Sequence, residues 1–355
     1  MTAGVFHTLK AYSVFSGNIL LSAFDRLNHP YKLTFAITGK CNLRCNTCYV
    51  WKKKSVNELT CEEIDKFFTV NNYFNWVDIT GGEIFLRKDL LNITKSIKKN
   101  LKNLVMLHYP TNGYLTEEIV GTTEQIASMG FPNLVLTVSL DGNEEIHNKI
   151  RNRADSFQRC IGTYRELRKN RHIKVYIGCT LSPFNIDHFK DFYRELKEYI
   201  PGVTYSDIHL NIYHYSENLY SNEKLDFDKR KVAEIIHDFI KKKGFLFINP
   251  ISLLEYFYLT NVVRYFSNDR SPYRCRAGQI SCFIDPNGNV YPCSGYNVSM
   301  GGLRENGYDL LKILRHTDNI ALTGNIRNGR CPHCWTPCEA YQNILSNLFI
   351  RRKKE

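Results

Sequence analysis

The placement of twelve cysteines among 355 residues constrains this chain more than any other feature. Cys41, Cys45 and Cys48 fall within eight residues as C-x3-C-x2-C. Cys275, Cys282, Cys293, Cys331, Cys334 and Cys338 crowd the last quarter. This content is well below the roughly 8–10% of a disulfide scaffold. No signal peptide is apparent, and Ser16, Gly17, Asn18 and Ser22 break the N-terminal apolar stretches before they could span a bilayer. A reducing cytoplasm is therefore expected, where clustered thiols serve as metal ligands more often than as disulfides. Cys61, Cys160 and Cys179 stand alone and read as small buried apolar groups. Cys61 follows Thr60, which forms a capping-box pattern with Glu63.

Between residue 31 and about 215 the pattern alternates strand and helix six times, with a last helix near 227–243. Strands are expected at Leu33–Ile37, Val77–Thr80, Val105–Tyr109, Leu134–Ser139, 174–180 and 207–213. Such alternation implies a parallel sheet with helices outside it. Six units are too few for a complete eight-fold barrel; a partial barrel and an open doubly wound sheet both fit. In either, the loops after strand C-termini form the site. The Gly-rich and polar segments fall at those ends. Residues 5–27 read as an amphipathic helix with Val5, Leu9, Val14, Ile19, Leu20 and Phe24 as apolar points, packing on the domain.

Three thiolates in eight residues suit a four-cornered iron–sulfur cluster with one iron left open; zinc would need a fourth ligand from elsewhere. This segment resembles the cluster motif of the radical SAM superfamily. Three more segments match in family order: Thr80-Gly81-Gly82-Glu83, Thr111-Asn112-Gly113, and Ser139-Leu140-Asp141-Gly142 followed by His147 and Arg151. The resemblance implies a partial (β/α)6 TIM-type barrel. It also implies S-adenosylmethionine on a [4Fe–4S] cluster held by Cys41, Cys45 and Cys48, cleaved to a 5′-deoxyadenosyl radical that abstracts hydrogen. Gly81, Gly82, Glu83, Asn112, Ser139, Asp141 and Arg151 are then the cofactor-binding residues. Thr47 stands where the family usually has an aromatic, and Ile84 where a proline often follows the acid.

The last quarter resembles the SPASM and Twitch domains of that superfamily. Cys275-x12-Gly288-x4-Cys293 matches the first half of the SPASM motif, flanking a hairpin at Asp285-Pro286-Asn287-Gly288. Cys331, Cys334 and Cys338 match part of the second half. By the shorter Twitch pattern, Cys275, Cys293, Cys331 and Cys334 hold one auxiliary [4Fe–4S] cluster, and Cys338 replaces one of them or serves a second cluster. Zinc is the alternative for the same spacing. Ser294 follows Cys293 where the sulfatase-maturing relatives carry an acid, which disfavours that substrate.

The expected organisation is an N-terminal helical extension over 1–30, a radical SAM core over 31–245 and a helical connector over 246–269. A small cysteine-rich α+β SPASM/Twitch-like domain over 270–345 and a basic tail over 346–355 complete it. A small molecule such as a sugar or cofactor precursor is the favoured substrate, because only about 30 residues precede the first strand. Modification of a ribosomal peptide is the alternative. A non-catalytic iron–sulfur or zinc protein is disfavoured, since an electron carrier needs no cofactor clasp. A low-potential donor of the flavodoxin or ferredoxin kind is implied. The +12 net charge admits acidic partners, but no RNA-binding motif accompanies it. No acid–base residue is assigned, although His209, Asn211 and Tyr213 share one face of the sixth strand.

Overall fold

Alternation in β1 (Lys32–Thr38) sorts its residues onto two faces. Leu33, Phe35 and Ile37 turn toward the helices, where Phe35 meets Phe67 edge-on at 5.5 Å. Lys32, Thr34 and Ala36 face inward. This computed structural model describes residues 3–53, 56–244 and 250–348. After α1 (Ala3–Ala23) and β1 come α2 (Cys61–Val70), β2 (Trp76–Gly81), α3 (Leu90–Asn100) and β3 (Met106–Thr111). Then follow α4 (Thr116–Ala127), β4 (Leu134–Ser139), α5 (Glu144–Arg151), α6 (Ser156–Leu167), β5 (Ile173–Leu181), α7 (Phe189–Tyr199), β6 (Ile208–Ile212) and α8 (Lys229–Lys243). The six strands pair in chain order, all parallel, and form the partial barrel.

Local signals fix several boundaries. Thr60 accepts from the Glu63 N–H while Glu63 accepts from the Thr60 N–H, so α2 begins on the anticipated capping box. Gly130 takes the left-handed conformation (φ +69°) three residues past α4. Helix α5 was not anticipated. Asn143 caps it by accepting from the Ile146 N–H at 3.1 Å, and its two turns put His147 and Arg151 on one face.

The cysteine-rich last quarter continues the sheet of the barrel. After α9 (Pro250–Asn268), β7 (Ser281–Ile284) pairs in parallel with β1 from Lys32↔Ser281 to Phe35↔Ile284. β8 (Asn289–Tyr291) and β9 (Gly301–Gly302) add antiparallel, giving one sheet of nine strands among the described residues. The expected hairpin turn is present, with Asp285 Oδ1 accepting from the Asn287 and Asn289 N–H groups and Gly288 at φ +90°. Then come α10 (Leu310–Leu314), α11 (Thr317–Arg327) and α12 (Pro337–Asn347). α12 lies on the inner face of the sheet near its N-terminal edge: Lys32 Nζ donates to the Cys338 carbonyl, and Ser281 Oγ donates to Glu339 at 2.7 Å.

α1 crosses the N-terminal ends of the strands, where Asn18 donates to Asn75 at 2.7 Å and Asn133 donates to Tyr12 at 2.6 Å. Its buried residues are small or polar: Ala11, Asn18, Ser22 and Ala23. Leu9, Leu20 and Phe24, expected to pack inward, are exposed instead. Close helix–strand approach favours the small residues and leaves the large ones outside. Among the described residues no helix is long and apolar enough to cross a membrane. The tail beyond residue 348 lies outside the described residues.

Candidate active site

The loop after β1 carries Cys41, Cys45 and Cys48, and the end of β2 is pressed against it. The Gly82 N–H donates to Thr38 O and the Glu83 N–H to Lys40 O, both at 2.8 Å. A Cβ on Gly81 would stand 2.1 Å from Thr38 O, and one on Gly82 2.0 Å from Lys40 O. Two glycines are therefore required for this close approach. Glu83 is 1% exposed. Its carboxylate accepts from Thr111 Oγ1 at 3.0 Å, the Asn112 N–H at 2.7 Å and the Phe85 N–H at 3.3 Å. Burial outweighs those donors and pushes its pKa up to about 7.

Asn112, just past β3, and Arg151, at the end of α5, reach the same loop. Asn112 Nδ2 lies 3.9 Å from Cys41 Sγ and donates to Asn42 Oδ1 at 2.8 Å. Arg151 Nη1 lies 3.7 Å from Cys45 Sγ, and Arg151 Nη2 donates to Asp141 Oδ2 at 2.5 Å. Burial alone would lower the Arg151 pKa, but Asp141 and Cys45 raise it and hold the guanidinium charged. Asp141 is fixed in turn by the Thr180 N–H at 3.0 Å. His147 Nδ1 accepts from the Asp141 N–H at 3.1 Å, so its proton sits on Nε2, toward Ser156 Oγ at 3.1 Å. Burial drives the His147 pKa well down, which makes it a neutral brace for the Asp141 turn. Ser139 ends β4 beside that turn.

These residues fit the cofactor and cluster that the sequence pattern implies. Two buried donors at the loop, Asn42 Nδ2 and Arg151 Nε, have no hydrogen-bond partner among the described residues. Burial and the neighbouring thiol raise the Cys48 pKa to about 12, so binding a metal there would displace protons. Among the described residues, no three His, Cys, Asp or Glu side chains are already gathered around a metal-sized space. The fit rests on the donor set and on the asparagine and arginine beside two of its sulfurs. The lone Cys160 is buried directly behind, its thiol donating to Asn112 O at 2.9 Å, and Cys179 is also in the core.

Cys275, Cys293, Cys331 and Cys334 line one cavity together with Trp335 and Glu339. Cys282 belongs instead to the apolar core on β7. Cys338 is not on the cavity wall; it stands on the first turn of α12, near Lys32 and Ser294. The segment after β6 joins the two cysteine sites. Asn222 Nδ2 donates to Thr47 O at 3.3 Å; Asn218 Nδ2 donates to Cys293 O at 2.9 Å and Ser216 Oγ to Ser294 O at 2.5 Å. Sequence reading missed this bridge, for which a Ser/Asn-rich stretch was the available signal. It also missed a polar row on the inner face. Asp78 meets Lys32 at 3.2 Å and His108 Nδ1 at 3.3 Å, and His108 Nε2 lies 2.9 Å from Thr137 Oγ1. His209 stacks on Tyr176 with centroids 3.9 Å apart, and burial keeps it neutral. Tyr213 donates to Glu223 O at 2.7 Å and turns away from that row.

Comparison with known proteins gives consistent matches. The radical SAM superfamily matches residues 35–196, and the SPASM iron–sulfur cluster-binding domain matches 275–338. The antilisterial bacteriocin subtilosin biosynthesis protein AlbA of Bacillus subtilis (strain 168) is 25% identical over 304 residues. That match covers 82% of this chain but only 61% of the relative's length. The AdoMet-dependent heme synthase of Methanosarcina barkeri is 25% identical over 298 residues, covering 78% of this chain and 80% of the relative. Streptococcus suis SuiB, in a crystal structure bound to S-adenosylmethionine, shares the fold with a TM-score of 0.59 at 18% identity. That likeness covers 86% of this chain and 70% of SuiB.

Proposed function

Since the chain belongs to the radical SAM superfamily and carries a SPASM domain, we propose that it is an enzyme that modifies a peptide by hydrogen abstraction. When bound, a [4Fe–4S] cluster and S-adenosylmethionine would supply reductive cleavage of the sulfonium. Cys41, Cys45 and Cys48 hold the cluster. Glu83 receives the cofactor's ammonium group, and Gly81 and Gly82 let the backbone close on it. Ser139 and Arg151 face the cofactor carboxylate or ribose, with Asp141 aiming the guanidinium and Asn112 bridging to Cys41. Cys275, Cys293, Cys331 and Cys334 hold one auxiliary cluster. The reducing electron comes from a flavodoxin- or ferredoxin-like donor. The observation that carries the reading is the convergence on one cysteine loop of three units of the barrel, through Glu83, Asn112 and Arg151.

The peptide assignment is supported by the bacteriocin biosynthesis relative, whose match spans 82% of this chain. A small-molecule substrate is the second reading, favoured by the heme synthase relative over 78% of the chain. Reconstituted protein, S-adenosylmethionine and a low-potential reductant should release 5′-deoxyadenosine. Retained release by Cys45→Ala would refute the radical reading. Short peptides encoded beside the gene should then change mass only when cofactor and reductant are both present. Cofactor cleavage without any peptide change would move the assignment to the small-molecule class.

A further inference from the structure

At the N-terminal ends of β1 and β7, the edge opposite the cysteine loop, lies a cavity of about 180 Å³. The seven residues of β1 separate the two, about 23 Å at ~3.3 Å per residue. The cavity is bounded by the turn after α1, the approach to β7, and α10 and α11. Among the described residues, Asp25 is the only acidic one on its wall. Three guanidinium groups converge on that carboxylate: Arg274 at 3.6 Å, Arg276 at 3.1 Å and Arg327 at 3.4 Å.

The positive charge exceeds what Asp25 can balance. Arg276 is 2% exposed, and its other donors go to neutral acceptors, Ala23 O and Ser346 Oγ. Arg327 Nε is buried with no hydrogen-bond partner among the described residues. Arg315 lines the same wall and pairs with no carboxylate among the described residues. Burial, followed by repulsion from Arg327, depresses the Arg274 pKa. Leu27, Ile280, Leu311 and Leu314 give part of the wall an apolar surface, beside the polar Asn28, His29, Gln279 and Thr323.

We propose that this cavity binds a phosphate group carried on an apolar body, with Arg315 and Arg327 as donors and Arg276 as buried counter-charge. Guanidinium groups arriving from separate elements suit a tetrahedral dianion with several acceptor oxygens. The apolar part of the wall, at Leu27, Ile280, Leu311 and Leu314, accommodates the substituent. Such a group has two sources, a soluble phosphomonoester or a phospholipid headgroup. Leu20 and Phe24, exposed on and just past the end of α1, adjoin the turn that carries Asp25.

The test uses the full chain, with phenyl phosphate and inorganic phosphate as calorimetric probes. Vesicles of phosphatidylcholine with and without phosphatidylglycerol serve for cosedimentation. Saturable binding is expected, tighter for phenyl phosphate than for inorganic phosphate. Arg315→Ala, an exposed site, should weaken it by about tenfold or more without changing the melting temperature, as for a lost hydrogen bond to a charged group. Phenyl phosphate binding without vesicle binding identifies a soluble ligand. Capture by phosphatidylglycerol vesicles that Arg315→Ala abolishes identifies a headgroup. Absence of both kinds of binding, or binding indifferent to Arg315→Ala and Arg327→Gln, overturns the proposal and leaves a cluster that only pins the Asp25 turn.

Discussion

A single methyl group decides whether the cysteine loop can sit where it does. Gly82→Ala places a Cβ 2.0 Å from Lys40 O, a backbone atom that cannot rotate away. The expected outcome is displacement of the loop, with loss of cluster loading while far-UV circular dichroism stays native; full iron content in the variant would contradict it. Glu83 gives a pH signature. Its pKa rises from 4.5 to about 7 on folding because burial penalises the charge. The protonated form is favoured in the fold, so this contribution to stability is complete below 4.5 and lost as pH rises through about 7. At a shift of this size it is worth on the order of 3 kcal/mol. A cationic partner requires the opposite form. Affinity for S-adenosylmethionine should therefore rise about tenfold per unit up to pH ~7 and level off above it. Cys41 and Arg151 also face this carboxylate, so Glu83→Gln is the control: it should weaken binding and flatten the profile.

At the scale of elements, Glu63 does more than cap α2. Its carboxylate also accepts from Arg304 Nε at 2.6 Å and Tyr308 Oη at 2.7 Å, tying α2 to the segment after β9. Hydrogen bonding from Arg304 holds its pKa down to about 2. A depressed acid stabilises above its unfolded value and loses that contribution as pH falls toward the folded one. Glu63→Gln should cost about 1 kcal/mol near neutrality, discounted for partial exposure, and almost nothing near pH ~2, read from denaturant melts. Thr60 and Glu63 announced this helix because a capping box is local chemistry. The same holds for Gly81-Gly82-Glu83, Thr111-Asn112-Gly113 and Ser139…Arg151, which lie at strand ends and carry their own motif. What the sequence did not disclose depends on partners far along the chain. Nothing in Ser281–Ile284 says that it pairs with β1, because strand periodicity reports a face and not a neighbour. Nor does α1 show that it packs by Ala11, Asn18 and Ser22, since Leu20 and Phe24 dominate its apolar pattern.

Across the whole molecule, the C-terminal cysteines are joined to the barrel. β7 extends the sheet, α12 covers its inner face, and Asn218 holds the Cys293 carbonyl from the loop after β6. Within this frame the six C-terminal cysteines have unequal positions, and iron content distinguishes them. With one core and one auxiliary [4Fe–4S] cluster, anaerobic reconstitution should give about eight irons per chain. Cys331→Ala and Cys334→Ala remove wall residues of the four-cysteine cavity and should leave about four, with cofactor cleavage retained. Cys338→Ala should leave all of about eight, because Cys338 lies beside Lys32 and Ser294 and is not on that wall. Cys282→Ala, in the core of β7, should lower stability without lowering iron. Loss of about four irons in Cys338→Ala would place that thiol among the auxiliary ligands, and about four irons with bound zinc in the unmodified protein would replace the auxiliary cluster with a structural zinc site.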